Sequence, residues 1–321
     1  MAGIIAARYQ DEDAAREHLE KVLWLDGPVC PHCGLIGEAY KLDGETTRKG
    51  LYKCAGCREP FTVTIGTIFE DSKIPLHKWL LAIHLMCSSK KGISAHQLMR
   101  NLEIGSYRTA WFLAHRIRWA LGQEPIKTKL AGIVEIDETW VGGKQRPVRM
   151  EPGQGRQRRL NPRGNKAPVV AILERGGDVR STSVDRVTSE NIKPLVDEAV
   201  EKSAILMTDS ATPLKFLAKE GHVHHVVDHH AKEYVRHEDG LTITTNTVEG
   251  YFSILKRGNY GIYHHWDAKY MDQYLREFDF RYNVRKMNDQ DRTILAIKKT
   301  SGKRLMLKEP KGSTDSNDSV G

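Results

Sequence analysis

The sequence predicts an α/β protein whose main core is a mixed sheet covered by helices. A small cysteine-rich module and a helical region precede that core. Three observations support this prediction. Strand-like and helix-like runs follow one another between residues 131 and 285. Four cysteines form two close pairs near the N-terminus, and residues 75–121 have apolar side chains at helical spacing.

Length and charge narrow the class of protein. The chain has 321 residues, 40% of them hydrophobic, and a formal net charge of +8. This length predicts two or three domains. A basic excess commonly indicates a polyanionic partner, most often nucleic acid, although a solvated basic surface stays an alternative. No apolar run approaches the ~20 residues of a bilayer span, and the N-terminus lacks the features of a signal peptide. We therefore expect a cytoplasmic protein without a membrane partner.

The first predicted domain, residues 1–70, combines a helix at about 10–24 with a metal-binding module. Its cysteines form two C-x2-C pairs separated by 20 residues (54 − 33 − 1): Cys30, Cys33, Cys54 and Cys57. This is the spacing of a zinc ribbon, in which four thiolates complete a closed tetrahedron around one structural Zn²⁺. A redox pair would instead need a single C-x-x-C beside a βαβ unit.

The second predicted domain, residues 71–128, is helical. Three helices are expected to begin near Pro75, Ser94 and Ser106. A short helix, a turn containing Gly105 and a basic third helix match helix-turn-helix geometry. On this interpretation Arg108 and Arg116 contact DNA. The alternative is a plain three-helix bundle that links the zinc ribbon to the core.

The third predicted domain, residues 129–297, contains the mixed sheet. Strands are expected at 132–141, 167–174, 178–184, 204–208 and 223–228, and helices at 190–202, 212–220 and from Asn246 onward. Three antiparallel strands followed by alternating helices and strands give a mixed sheet covered by helices. This element order is the ribonuclease-H-like one.

A basic arm at residues 144–166 interrupts the third domain between its first two strands. It holds eight basic residues and one acidic residue. Such a one-sided run usually contacts phosphates, so we expect Arg156, Arg158 and Arg159 to bind DNA, although a solvated loop is the alternative. Residues 298–321 are polar and charged and are predicted to be a disordered tail.

Three acidic residues occupy positions from which they can converge. Asp137 lies near the end of one apolar strand, Asp209 ends another, and Glu249 lies at the start of a helix. Carboxylates converging in this way suit two Mg²⁺ (or Mn²⁺) ions about 4 Å apart. We expect Asp137 to bridge both ions, with Asp209 and Glu249 each holding one.

Helix capping is the competing interpretation for two of these acids. Asp209 lies in a Thr-Asp-Ser sequence that suits an N-cap. Asn246 and Glu249 have the spacing of a capping box, with Asn246 as the N-cap. The functional interpretation is favoured by Lys256, which shares a helix face with Glu249. Lys256 and the adjacent Arg257 place two cations where a DNA phosphate could bind.

A histidine-rich segment offers another possible metal site. It contains His222, His224, His225, His229, His230 and His237. Alternating histidines can bind a transition metal. The valines between them favour a core strand with histidines on its polar side instead.

Several ordered motifs together resemble a known family. The cysteine quartet, the segment Ile136–Lys144 and the segment Asn246–Gly258 resemble those of bacterial insertion-sequence transposases of the 1595 family, relatives of eukaryotic Merlin elements. The segments Tyr260–His265 and Glu277–Asn283 also match. The resemblance spans about residues 25–285.

The resemblance implies a ribonuclease-H-like core with a DDE-type triad and Mg²⁺-dependent cutting and joining of DNA at element ends. Asp137 and Asp209 match the two aspartates. The family varies at the third position, and this chain offers both Glu249 and Asn246. Glu249 is seven residues before Lys256 (256 − 249), against ten for Asn246, so we favour Glu249 and keep Asn246 as an alternative ligand.

The implied partners are the terminal inverted repeats of the element and the target DNA, both double-stranded. The resemblance further implies a nucleoid-associated bacterial protein, and we expect a homodimer or higher homo-oligomer on DNA. Two other functions fit the same residues. One is a nuclease or Holliday-junction resolvase without strand transfer, and the other is a catalytically inactive zinc-ribbon DNA-binding protein.

Overall fold

The computed structural model describes residues 4–302, except 123–127, 143–165 and positions 211, 215, 229, 230 and 232. Most of the basic arm and of the predicted tail therefore lie outside the described residues. The chain forms two compact units: a first unit of residues up to His84, Ala95–Ala120 and Thr293 onward, and a second unit of Leu85–Ser94 and Leu121–Arg292. The sequence-predicted domain boundaries stay a prediction. No helix in the described ranges is long and apolar enough to cross a membrane.

The first unit begins with helix α1 (Glu12–Leu23), where the sequence predicted an amphipathic helix. The Asp11 carboxylate accepts the backbone N–H of Ala14 at 2.8 Å, which satisfies a helix-terminal donor and fixes the start of α1. Ala15 and Leu19 on its apolar face are fully buried. The helix therefore packs by its apolar stripe, as its spacing predicts.

A small antiparallel sheet follows α1 and carries the cysteines. It has the order β1-β2-β3, with strands β1 (Ala39–Lys41), β2 (Tyr52–Cys54) and β3 (Pro60–Phe61). Trp24 packs edge-on against Tyr52, with ring centroids 5.1 Å apart, and Phe61 is fully buried beside them. These rings supply the apolar core that such a short sheet needs.

The helices predicted after the ribbon are present. They are α2 (Leu76–Ser88), α3 (Ala95–Asn101) and α4 (Tyr107–Gly122), with α9 (Asp289–Lys298) near the end of the described chain. Helix α4 is buried along most of its length, and only its first turn, with Tyr107 and Arg108, is exposed. The short α3, the turn and α4 keep the helix-turn-helix order that the sequence predicted.

The second unit is built on a five-stranded sheet with the order β6-β5-β4-β7-β8. Its strands are β4 (Ile133–Val141), β5 (Ala167–Glu174), β6 (Val179–Ser183), β7 (Ile205–Asp209) and β8 (Val223–Val227). The first three strands pair antiparallel, and β7 and β8 add in parallel beyond β4. This mixed sheet has the ribonuclease-H-like order, so the predicted fold class is confirmed.

Helices cover both faces of this sheet. They are α5 (Ser189–Ala199), α6 (Phe216–Lys219), α7 (Asn246–Gly258) and α8 (Met271–Asn283), and a hairpin of β9 (Arg236–Glu238) and β10 (Leu241–Ile243) precedes α7. Ile136 and Ile172 pack in the cluster that contains α5. Ala171 and Leu173 pack in the cluster that contains α7 and α8. Alternate residues along these strands therefore pack into the hydrophobic clusters on opposite faces of the sheet.

Buried polar groups fix α7 and α8 to the sheet edge. The Asp279 carboxylate on α8 accepts the Tyr251 hydroxyl at 2.6 Å, the Ser181 backbone N–H at 2.9 Å and the Ser181 hydroxyl at 2.7 Å. Burial raises the pKa of Asp279 to about 7 although these hydrogen bonds oppose the rise. One carboxyl group thus joins α7, α8 and β6.

Candidate active site

Two of the predicted catalytic carboxylates lie side by side where the parallel pairing of β4 and β7 ends. Asp209 ends β7 as predicted, whereas Asp137 lies in the middle of β4 and not near its end, because β4 continues to Val141 in antiparallel pairing with β5. The register of β4 and β7 pairs Ile136 with Thr208, so the next residues, Asp137 and Asp209, are neighbours. Carboxylate oxygens of Asp137, Glu138 and Asp209 all lie within 4.8 Å of one another, and all three residues are half-buried. The parallel register is therefore the structural cause of their convergence.

The cluster has an electrostatic cost that a cation would remove. Burial, followed by the nearby charge of Asp209, raises the pKa of Asp137 to about 7. The backbone N–H of Glu138 donates to Asp137 Oδ1 at 2.7 Å and opposes this rise. Closely spaced carboxylate oxygens are the ligands that hard divalent cations such as Mg²⁺ prefer. The donor set thus fits a divalent cation.

Sequence reasoning gave Glu138 no role in this cluster. Side chains that are adjacent in a strand usually point to opposite faces of the sheet. In the middle of β4, the carboxylate oxygens of Asp137 and Glu138 nevertheless lie within the same group. The available signal was the pair of consecutive acids within an apolar strand.

Glu249 lies in the same cleft as the cluster. The cleft has a volume of about 900 Å³ and is lined by Asp137, Glu138, Glu249, Lys256 and Arg257, among others. Glu249 is exposed, and its Oε1 accepts the hydroxyl of Thr245 at 3.0 Å. Among the described residues, the group with oxygens within 4.8 Å of one another does not include Glu249. The structure thus brings the third acid and both predicted cations to the cleft, with Glu249 outside the tight cluster.

The capping interpretation of this helix start needs correction. Thr245, not Asn246, is the N-cap residue, and Asn246 is the first residue of α7. The predicted capping box with Asn246 as the N-cap is therefore wrong, because the helix begins one residue earlier than that box requires.

In place of a capping box, a buried carboxylate on β4 accepts hydrogen bonds from the first turn of α7. Glu135 Oε2 accepts the backbone N–H of Val248 at 2.9 Å, and Oε1 accepts the Thr247 hydroxyl at 2.8 Å. Glu135 lies on β4 two residues before Asp137. One strand therefore carries the first carboxylate of the cluster and also anchors the helix that carries Glu249.

The cysteine quartet has the geometry of a zinc site. All four sulfur atoms lie within 4.8 Å of one another, and the Cys30–Cys57 and Cys33–Cys54 Sγ pairs are each 3.6 Å apart. A regular tetrahedron with Zn–S bonds of ~2.3 Å has S···S edges of roughly 3.8 Å. The quartet therefore fits one structural Zn²⁺. The fifth cysteine, Cys87, is fully buried on α2.

The predicted DNA-binding residues divide into three groups. Arg108 is exposed at the start of α4, and Lys256 and Arg257 line the cleft. Arg116 is buried. Its guanidinium donates to the Glu70 carbonyl at 2.7 Å and lies 5.3 Å from the Trp79 ring centroid. The expectation that Arg116 contacts DNA is corrected, because its charge is used inside the first unit. Arg156, Arg158 and Arg159 lie outside the described residues.

The histidine segment forms no metal-binding group within the part of the chain that the structure describes. His224 on β8 instead makes a 2.8 Å hydrogen bond between its Nε2 and the Thr208 hydroxyl. Burial lowers the pKa of His224, which favours its neutral form. His229 and His230 lie outside the described residues.

Comparisons with known proteins match the two regions of the chain that carry these clusters. A family model described as an ISXO2-like transposase domain matches residues 129–283, and one described as a transposase zinc-ribbon domain matches residues 10–59. An uncharacterized protein in transposable element ISH50 of Halobacterium salinarum is 28% identical over 259 residues, which is 78% of this chain and 83% of that protein.

Two solved structures are more distant. A pre-cleavage Mos1 transpososome is 14% identical, with a TM-score of 0.24 over 66% of this chain and 75% of that one. A Mos1 transposase paired-end complex with the left transposon end is also 14% identical, with a TM-score of 0.20 over 64% of this chain and 75% of that one. TM-scores this low carry no argument, so the assignment rests on the two domain matches. The chain carries a DDE-type transposase domain preceded by a transposase zinc ribbon, both of the insertion-sequence 1595 type.

Proposed function

We propose that this transposase binds the terminal inverted repeats of its element and, with Mg²⁺ or Mn²⁺, cleaves the DNA strand and joins it to target DNA. One observation carries the proposal. Carboxylates from two parallel strands converge, and two of them, Asp137 and Glu138, line a cleft of about 900 Å³ together with Lys256 and Arg257. Acidic groups that hold metal ions beside basic groups that bind phosphate are the parts that phosphodiester chemistry needs.

The proposed roles follow from position. Asp137, Asp209 and Glu249 would hold the divalent ions, and Asn246 is the alternative third ligand. Ions held there would supply activation of the attacking oxygen and charge stabilisation of the leaving one. Lys256 and Arg257 bind the phosphate next to the reacting bond. Because burial and the charge of Asp209 raise its pKa to about 7, part of the metal-free protein would carry a proton on Asp137 near neutral pH, and a bound cation would displace that proton.

The two proposed steps exchange one phosphorus–oxygen bond each. In cleavage, a water oxygen bonds to phosphorus and the 3′ oxygen of the neighbouring nucleotide leaves as a hydroxyl. In joining, that 3′-hydroxyl bonds to a phosphorus of the target strand and displaces another 3′ oxygen. In each step the attacking group gives one proton to solvent and the leaving 3′ oxygen takes one from solvent.

DNA binding is proposed to involve surfaces outside the cleft as well. Arg108, exposed at the start of α4, and the arm residues Arg156, Arg158 and Arg159 would contact phosphates. The zinc ribbon at residues 1–70 and the helical region at 71–128 would act as DNA-binding domains ahead of the catalytic core. We further propose that a homodimer or higher oligomer brings two element ends together.

A product assay tests the proposal. The full-length protein is incubated with labelled DNA that carries both ends of its element, a target plasmid, and either Mg²⁺ or EDTA. We expect Mg²⁺-dependent joined products, and none with Asp137→Asn or Asp209→Asn. Nicked DNA without joining would support the nuclease or resolvase alternative. Binding without cleavage under all conditions would support an inactive DNA-binding protein.

A further inference from the structure

A lysine from outside the matched transposase domain lines the catalytic cleft. Lys91 lies in the segment Leu85–Ser94, which belongs to the second unit although it is far from residues 129–283 in sequence. Lys91 is exposed and lines the same cleft of about 900 Å³ as Asp137, Glu249 and Lys256. The cleft therefore has a third basic residue that neither the motifs nor the domain match includes.

The backbone around Lys91 is fitted closely to the end of α7. A Cβ atom at Gly258 would lie 2.9 Å from the Lys91 carbonyl oxygen, so the absence of a side chain at Gly258 allows this approach. Gly92 has φ +99°, and a Cβ there would lie 2.1 Å from the Tyr263 hydroxyl. Both glycines are thus needed for the segment to lie against the helix.

Hydrogen bonds to buried groups hold the same segment. Arg281 donates from Nη1 to the Met86 carbonyl at 3.4 Å and also pairs with the fully buried Glu277. Glu277 accepts the Tyr263 hydroxyl at 2.7 Å, and the Tyr263 ring lies against Gly92. The position of Lys91 is therefore set by the fold of the catalytic unit.

We propose that Lys91 binds a backbone phosphate of the DNA strand that enters the catalytic cleft. A DNA strand beside Asp137, Glu138 and Asp209 meets a cluster of like charge, so basic groups are needed along its path. A lysine ammonium is a compact point charge that suits a single phosphate oxygen. This inference rests on the proposed function, because it takes DNA as the ligand of the cleft.

The test compares Lys91 with its neighbour Lys90, which is also exposed but does not line the cleft. The DNA probe is a duplex already cleaved at the element end. The full-length protein is treated with an amine-acetylating reagent in the presence and in the absence of Mg²⁺ and this duplex, and the acetylated lysines are identified by mass spectrometry. Affinity for this duplex is measured against salt concentration for the wild type and for Lys91→Ala, Lys91→Arg and Lys90→Ala.

We expect DNA to slow acetylation of Lys91 severalfold more than that of Lys90. Lys91→Ala should flatten the slope of log K against log salt by about 0.9, the value for one phosphate contact, and Lys91→Arg should restore it. Equal protection of the two lysines, or an unchanged slope in Lys91→Ala, would overturn the inference. A wild-type protein that binds DNA but never cleaves it would contradict the proposed function, while both Lys91 measurements would still give their answer.

Discussion

Arg175 donates from Nε to Oε1 of Glu135 over 2.6 Å, and the Glu135 carboxylate is fully buried. The same guanidinium donates to the carbonyls of Thr242 at 2.6 Å and Thr244 at 2.8 Å, in the segment just before α7. Glu135 in turn accepts the backbone N–H of Val248 in the first turn of α7. One ion pair therefore holds the carboxylate strand and the start of the Glu249 helix together.

Removing this ion pair should destabilise the second unit. In Arg175→Ala, Glu135 would stay buried without its cation, and breaking a buried pair in this way costs about 3–5 kcal/mol. We expect a loss of that size in the free energy of unfolding in urea, with DNA cleavage reduced as well. The matched control is Lys193→Ala, which breaks an exposed pair with Glu220 and should leave the free energy of unfolding nearly unchanged. Equal losses in the two variants would contradict the structural role given to Arg175.

The zinc ribbon should depend on its metal for folding. In Cys30→Ser one of four thiolates is lost, and metal binding supplies much of the folding free energy of a small ribbon. We expect about one Zn²⁺ per chain in the wild type and substoichiometric zinc in the variant, measured by elemental analysis. Cys87→Ala is the control, since Cys87 is buried on α2 and outside the quartet. Full zinc content in Cys30→Ser would refute the assignment.

The sheet was predictable because local pattern determines it. Alternating apolar residues and turn signals gave the five strands to within a residue or two, and Asp137 and Asp209 follow from parallel register. Glu135 was not predictable, because its partners Arg175 and Thr247 lie 40 and 112 residues away in the chain. For Arg116 the sequence suggested a functional role that the structure does not support. Its charge on a basic helix suggested DNA contact, whereas packing over Trp79 buries it.

Mg²⁺ binding should strengthen as the pH rises through about 7. The pKa of Asp137 is raised from its usual 3.8 to about 7 in the folded protein. The unfolded chain therefore loses this proton at lower pH than the folded one, and the metal-free protein loses stability as pH rises from about 4 through 7. A bound cation reverses this loss, because it favours the ionised carboxylate.

Thermal unfolding with and without Mg²⁺ checks this expectation. The increase in Tm caused by Mg²⁺ should be small near pH 6 and approach its maximum near pH 8, about one unit on either side of a pKa of about 7. Asp279, whose pKa is also raised to about 7, affects both samples alike because it is buried in the Tyr251 and Ser181 network. Asp137→Asn should abolish most of the Mg²⁺ effect at every pH. A pH-independent Mg²⁺ effect in the wild type would contradict the prediction.

The identity of the third catalytic residue can be tested with two single substitutions. Glu249→Gln removes the charge but keeps an oxygen that can accept the Thr245 hydroxyl, which now donates to Glu249 Oε1 at 3.0 Å. We expect a cost of about 1 kcal/mol or less in stability and a loss of cleavage by orders of magnitude. Asn246→Ala changes an exposed first residue of α7 whose backbone N–H donates to Thr244. Alanine is the best helix former, so folding should be kept and activity largely retained. An active Glu249→Gln protein beside an inactive, well-folded Asn246→Ala protein would reverse the assignment and make Asn246 the third ligand.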